Sequence, residues 1–394
     1  ISLKKDLTYA MTPLMIIAWP VGTWPLQKYN VASFLRTTFA VFVLLLALAL
    51  VNTETYLDGT DAEKNLDSVV LVSCSVLAVW KVTQFRVRCE GLVSNFQSAV
   101  KDYNELDSEE KRTIMRRHAY MSRVAGASVV LFAYFSATFI AIVPMFAPGE
   151  KETTLNANET KAKSTNYPVP SEYTLQALHV PEKLFLLIFS VEYLMMLVIG
   201  NGNLGSDVVF FAITLHLCGQ AEILKLEFAK IVDDNENTAR RFDALTARHR
   251  HLLKLSKQLN DTISSILIMQ VLSSCLLICT TGFQLILSLN ANNFVMEAKT
   301  FIVVGTLLTQ LFAYSCVGNY LKDQMEGIGY SAYCCRWYDL PERLSKDIIF
   351  ILMRSQNPVH LKAGNFFVVN METFMNIVRT SMSYLSVLRV MITT

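Results

Sequence analysis

The chain has 394 residues, of which 52% are hydrophobic and 17% charged, and its mean hydropathy is +0.35. A soluble protein carries about 25% charged residues, and here the charges are also clustered: residues 124–149, 262–296 and 300–321 contain none. A soluble domain is therefore excluded, and the net charge of +2 points to no nucleic-acid partner, because the basic residues sit in short loops between apolar runs.

The first residues carry Lys4-Lys5-Asp6 and a Pro/Trp-rich stretch from Trp19-Pro20 to Trp24-Pro25. The first apolar window comes late and no small-residue cleavage site follows it, so no cleaved leader is expected. Apolar runs predict spans at about 34–53, 67–86, 122–146, 184–226, 262–290, 298–321 and 365–391. A crossing needs roughly 20 residues at the helical rise, so the fourth run must project beyond the bilayer. The charged stretches 87–120 and 227–261 keep apolar residues at helical spacing, such as Phe242, Leu245, His249 and Leu252. They read as cytosolic extensions of the spans. A short amphipathic piece, Ser345–Met353, is cut from the last span by Ser355-Gln356-Asn357-Pro358.

Excess Lys and Arg stays on the cytosolic side. The N-terminus with loops 86–123, 225–257 and 322–346 holds twenty-four, against six in the alternate loops 54–66 and 147–183 and near Lys299. The expected fold is an all-α membrane protein with seven transmembrane helices, N-terminus cytosolic and C-terminus extracellular. The sequon Asn158-Glu159-Thr160 falls in the expected outer loop 147–183, making Asn158 the candidate glycosylation site. Asn260-Asp261-Thr262 also matches but lies at a cytosolic helix start, so one of the two must be idle. All eight cysteines fall in spans or cytosolic loops, where thiols stay reduced.

Several motifs invite chemistry and have plainer readings. Gly200-Asn201-Gly202-Asn203-Leu204-Gly205 matches a dinucleotide-binding fingerprint, which needs a strand before it. Inside a membrane helix it predicts instead a kink that widens the bundle interior, since glycine lets backbones approach and helices bend. His249-Arg250-His251 and Cys334-Cys335 lack the spacing of a zinc site, so no metal is expected. No nucleophile–base constellation appears, and neither an enzyme nor a cofactor is expected. Asp207 and His216 read as a hydrogen-bonded pair where the fourth span leaves the bilayer, and Glu192 as a group near the outer face that could border a cavity. The outer halves of the spans carry aromatic and small polar residues: Ser75, Val76, Val79 and Trp80; Phe132, Phe135, Ser136 and Phe139; Tyr193, Leu194 and Leu197; Phe301, Gly305 and Thr309. Such faces could enclose an apolar pocket with a few hydroxyls. Ordinary helix packing is the competing reading for each residue.

The last span is interrupted by Glu372, Arg379 and Arg389, groups too costly to face lipid. Thr373, Asn376, Thr380, Tyr384, Val387 and Met391 recur at three- and four-residue spacing on one face. Polar below and closing on Val387 and Met391, that face resembles a wet vestibule with a hydrophobic constriction. Several subunits would have to meet around it; the alternative is packing within its own bundle.

Seven spans raise the G-protein-coupled receptor reading, but the inverted orientation, the missing Asp-Arg-Tyr after span three and the absence of outer cysteines reject it. The orientation and the C-terminal patterns instead resemble the insect odorant receptors. The resemblance is sharpest over Gly318-Asn319-Tyr320-Leu321, Gln324, Ile328, Ala332-Tyr333 and Trp337-Tyr338-Asp339-Leu340-Pro341. It continues over Glu372-Thr373-Phe374, Ser383-Tyr384 and Leu388-Arg389, with Asp207, His216 and Gln220 in the fourth span. It implies a tetrameric, odour-gated, non-selective cation channel opened by a volatile small molecule, in the dendritic plasma membrane of olfactory sensory neurons. It divides the chain into a bundle with the odorant pocket (1–315), a cytosolic anchor around Trp337 and Tyr338 (316–354) and a pore-lining last helix (365–394). Val387 and Met391 then fall on the gate, with Thr380 and Tyr384 along the pore. The co-receptor of this family has a much longer loop between spans four and five. The short 227–261 loop therefore implies an odorant-specific subunit that partners the co-receptor, amid membrane lipid and permeant cations. Arg389 near the gate hints at a mixed tetramer. The alternative is a seven-helix chemoreceptor signalling through a cytosolic partner.

Overall fold

In the computed structural model, residues 2–57, 62–146, 167–231, 238–291 and 294–393 are described, and nearly all of them are helical. The apolar runs set the long helices: α1 (Ser2–Ala18), α2 (Val31–Leu57), α3 (Ala62–Val87), α4 (Cys89–Asn104) and α5 (Glu109–Phe146). After the short α6 (Glu172–Ala177) come α7 (Phe185–Ala229), α8 (Thr238–Ala291), α9 (Phe294–Cys334) and α10 (Glu342–Ser355). A hairpin of β1 (Lys362–Ala363) and β2 (Phe367–Val368) leads into α11 (Met371–Thr393). Side-chain caps mark several starts. Asn30 Oδ1 accepts from the Ser33 amide, and Asn370 Oδ1 from the Thr373 amide, satisfying donors that a helix N-terminus leaves free.

Among the described residues, α2, α3, α5, α7, α8 and α9 are long and apolar enough to cross a membrane. With α11, which is long enough but more polar, they give the expected seven-helix architecture. Of the charged stretches, 227–261 is held mainly by the start of α8, as expected, whereas most of 87–120 forms the separate helix α4 and only the part from Glu109 continues into α5; α9 runs on to Cys334. Two boundaries differ from expectation. The last helix starts at Met371 rather than near 365, because the hairpin occupies the intervening residues. The N-terminal segment, in which no span was expected, forms α1, which packs on α4, α5 and α7. Leu14 and Ala18 are buried there, and Asp6 pairs with Arg116 of α5 at 2.8 Å.

The bundle is built around α7, which packs on α1, α2, α3, α5, α8 and α9. Its residues are buried almost without interruption from Leu204 to Leu224, the pattern of a helix surrounded on every side. The Gly200–Gly205 run does not break it. A Cβ on Gly202 would meet that of Ala78 at 3.1 Å, and one on Gly205 would meet the Thr23 hydroxyl at 3.0 Å. Close approach is what Gly202 and Gly205 supply. Asn260 is likewise structural: its side-chain oxygen accepts from the Lys362 amide at 2.7 Å, tying α8 to the hairpin. Asn158 lies outside the described residues.

Candidate functional site

The residues expected to form a pocket are distributed over four helices, α3, α5, α7 and α9. Ser75 and Ser136 are buried; Val79, Phe139, Tyr193, Leu197, Gly305 and Thr309 are half-buried; Val76, Trp80, Phe132, Phe135, Leu194 and Phe301 are exposed in the single chain. α5 and α7 meet through the Thr138 and Tyr193 hydroxyls, 3.1 Å apart, and through Tyr134, which donates to Asn201 at 2.6 Å. α9 joins α5 where the Thr306 hydroxyl donates to the Phe132 carbonyl. Val79 packs with Leu44, Ala78, Met195 and Ile199 between α2, α3 and α7. Trp80 turns the other way, its indole N–H donating to the Ser265 carbonyl of α8 at 3.2 Å. A Cβ on Gly305 would meet nothing within 4 Å, so this glycine leaves space beside α9. The structure therefore joins α5 to α7 and to α9 close to some of these residues, and it places Trp80 against a different neighbour.

Beneath these residues lies a polar cluster that sequence reasoning missed. Lys81 of α3 and Asp207 of α7 pair at 2.5 Å with neither side chain exposed. Asp207 also accepts from Gln310 and Tyr314 of α9, and the Lys81 ammonium reaches the Asn203 carbonyl. Three helices are thus joined at one carboxylate. Burying two charges is costly, and the pair stands because each oxygen and the ammonium are satisfied. Asp207 does not pair with His216, contrary to expectation. Nine residues at about 100° each place the two on opposite faces of the helix, and His216 pairs instead with Asp102 of α4 at 3.0 Å. Glu192 is also engaged rather than facing a cavity. It accepts from the Ser171 hydroxyl and the Val169 amide of the segment ahead of α6.

Two small cavities lie elsewhere. One is lined by Met11, Leu14, Tyr103, His118, Ser122 and His216 among others, where α1 covers α4, α5 and α7; burial holds the Tyr103 phenol above its ordinary range. The other lies between α8, α9 and α11, bordered by Gln270, Tyr314, Ser315, Thr373 and Ile377. Tyr314 borders this cavity while donating to Asp207, so the buried cluster is one side chain away from the last helix.

α11 rests on α8 and α9 through Ile377 and Ser381, both buried. Thr373 belongs to this side, its hydroxyl donating to the Val368 carbonyl, rather than to the polar face on which sequence spacing put it. The opposite face exposes Asn376, Thr380, Tyr384 and Val387. The side chains of Arg389 and Met391 lie outside those described. Gly318 sets the height of this helix, since a Cβ there would collide with the Val369 carbonyl oxygen. At the other end of α9, Trp337 and Tyr338 form a helical turn with rings 6.1 Å apart, and the Ser345 hydroxyl of α10 donates to the Trp337 carbonyl. Tyr330, Tyr333, Tyr338, Ile349, Phe350 and Met353 are exposed around them. Such an apolar patch marks an interaction site.

Comparison with known proteins agrees with this architecture. A family described as "7tm Odorant receptor" matches residues 61–382. "Odorant receptor 67a" of Drosophila melanogaster is 27% identical over 197 residues, 48% of either chain. "Odorant receptor 10" of Aedes albopictus is 25% identical over 40% of this chain and 41% of its own. The chain thus matches about half, or less, of the length of these curated relatives. The solved olfactory receptor OR5 of Machilis hrabei superposes with a TM-score of 0.78, covering 96% of this chain and 97% of that one at 13% identity. The same receptor in complex with eugenol gives the same score at 12% identity. The relatives are odorant receptors, not enzymes, and with 61–382 matched the chain belongs to the 7tm odorant receptor family.

Proposed function

We propose that this membrane receptor is the odorant-binding subunit of a tetrameric, ligand-gated, non-selective cation channel, working with an odorant receptor co-receptor in the dendritic plasma membrane of olfactory sensory neurons. The observation that carries the reading is the free face of α11. A membrane-crossing helix that exposes Asn376, Arg379, Thr380, Ser383 and Ser386 is poorly suited to lipid; around a shared axis the same face would line water. Val387, exposed near its outer end, and Met391 would form the constriction that wets on opening. The aromatic patch around Trp337 and Tyr338 would hold the subunits together below the membrane. The ligand would be a volatile small molecule taken up among Ser75, Val79, Phe132, Ser136, Phe139 and Tyr193 and their neighbours, as a related receptor takes eugenol. Glycosylation at Asn158 would mark the outer loop.

Binding would act by favouring the conformation in which the last helices part. Whole-cell current tests this, recorded from the chain alone and with the co-receptor under a panel of volatiles with G-protein signalling blocked. Fast cation current in the pair is expected. Responses that vanish with the G-protein block would make the chain a receptor signalling through a cytosolic partner.

A further inference from the structure

At the end of the bundle that the charge count places outside, the segment from Tyr167 to Thr174 descends between the helices and is held by two buried carboxylates. Glu192 of α7 accepts from the Ser171 hydroxyl at 2.5 Å and from the Val169 amide at 3.3 Å. Glu54 of α2 accepts from the Tyr173 and Thr174 amides at 2.9 and 2.8 Å and from the Thr174 hydroxyl at 2.8 Å. Glu54 and Glu192 are 5% and 3% exposed, Val169 and Ser171 only 1%. Five donors on an eight-residue segment converge on two carboxylates, and charge-assisted bonds of this kind are about twice as strong as neutral ones. The Tyr167 ring packs on Phe185 at 5.3 Å, fixing the segment's other end.

The consequence is the position of one apolar side chain. Val169 packs with Val51 and Met196, surrounded by Leu71 and Val72 of α3 and Ala137 and Ile140 of α5. On α3, Leu71 is one helical turn outward of Ser75, and on α5, Ile140 is one turn outward of Ser136. The cluster that holds Val169 therefore lies one helical turn outward of the two buried serines of the expected pocket. We propose that Val169 is the roof of the ligand pocket and limits the length of volatile it admits, with Glu54 and Glu192 as the positioning residues that hold it there. This inference rests on reading the outer halves of α3, α5, α7 and α9 as that pocket. A roof delivered by a loop can be retuned by substitutions that leave the helices untouched.

The test records currents from the co-expressed pair over straight-chain aliphatic alcohols of stepped length, with surface labelling of each variant. The readout is the ratio of half-maximal concentrations for long and short alcohols, which a change in receptor number does not move. One methylene in an apolar pocket changes discrimination by about 10–200-fold. Val169→Ala is expected to move the ratio at least about tenfold toward longer chains, and Val169→Phe toward shorter ones; Val169→Leu serves should the phenylalanine fail to reach the surface. Glu192→Ala should move the ratio too, whereas Glu192→Gln, whose amide oxygen can accept from the Val169 amide while its NH2 donates to the Ser171 hydroxyl, should not. Ser136→Leu probes the pocket beneath independently. An unmoved ratio in the Val169 variants alongside a moved one in Ser136→Leu overturns the roof and leaves the pocket standing. Unmoved ratios in both overturn the roof and the pocket together.

Discussion

The Lys81–Asp207 pair offers the sharpest quantitative check on the architecture, because its removal can be done in two ways that differ only in charge. Asp207→Leu leaves the Lys81 ammonium buried with no counter-charge and deprives Gln310 and Tyr314 of their acceptor. Breaking one side of a buried pair costs about 3–5 kcal/mol, and each stranded donor adds about 1–3 kcal/mol. In the double variant Lys81→Met/Asp207→Leu the two donors are still stranded but no charge remains. It should therefore be more stable than the single variant by about 3–5 kcal/mol, although it carries one substitution more. A kilocalorie shifts Tm by about 2–4 °C in domains of 150–250 residues and by less in longer chains, so a rescue of roughly 5 °C is expected. Melting of the detergent-solubilised receptor, followed by the loss of its monodisperse size-exclusion peak, reads this directly. A double variant no more stable than Asp207→Leu would show that the two charges are not energetically joined, and the geometric account of the cluster would fall.

Other substitutions probe the remaining sites. Gly318→Ala should reach the surface but lower maximal current per labelled receptor several-fold, because its Cβ cannot share space with the Val369 carbonyl; undiminished current would detach the height of α11 from gating. Val387→Ala should raise resting leak if the exposed end of α11 is a hydrophobic gate, and an unchanged resting current would move the gate elsewhere. Trp80→Ala is expected to shift tuning at constant surface level; loss of surface level alone would leave its bond to the Ser265 carbonyl as packing between α3 and α8. Asn158→Gln should increase the gel mobility of the receptor by removing a glycan, whereas Asn260→Gln should not, since Asn260 is bonded to the Lys362 amide.

Hydrophobic runs and loop charges made the long helices legible from sequence, because both are local properties. The free face of α11 was legible for the same reason: Asn376, Thr380, Tyr384 and Val387 share a face by spacing alone, and among the described residues Thr373, at the capped first turn, departs from it. α1 escaped notice because, at 17 residues, it is below the length of a span, and its helix is fixed by what it packs on. Lys81 escaped because it closes an apolar run, where a lysine ordinarily reaches for the interface. Its burial follows from Asp207, 126 residues away. The pairing of His216 with Asp207 fails for a simpler reason, since the helical repeat alone sets the two on opposite faces.

Glu192 shows why an ionisable residue in a span states a question rather than an answer. Its sequence position near the outer face is compatible with a cavity, a proton relay or a structural clamp, and composition does not distinguish them. What distinguishes them is the identity of the donors. A cavity group keeps part of its hydrogen-bonding capacity for a ligand, whereas Glu192 places both oxygens on a single backbone segment, and Glu54 does the same from another helix. Two carboxylates committed to one segment hold it with a precision that an apolar contact alone would not give, because charge-assisted bonds are directional. The valine between them inherits that precision. On the proposed reading the charged residues of the outer half would act on the ligand through Val169, while Lys81 and Asp207 reach the cavity beside the last helix through Tyr314.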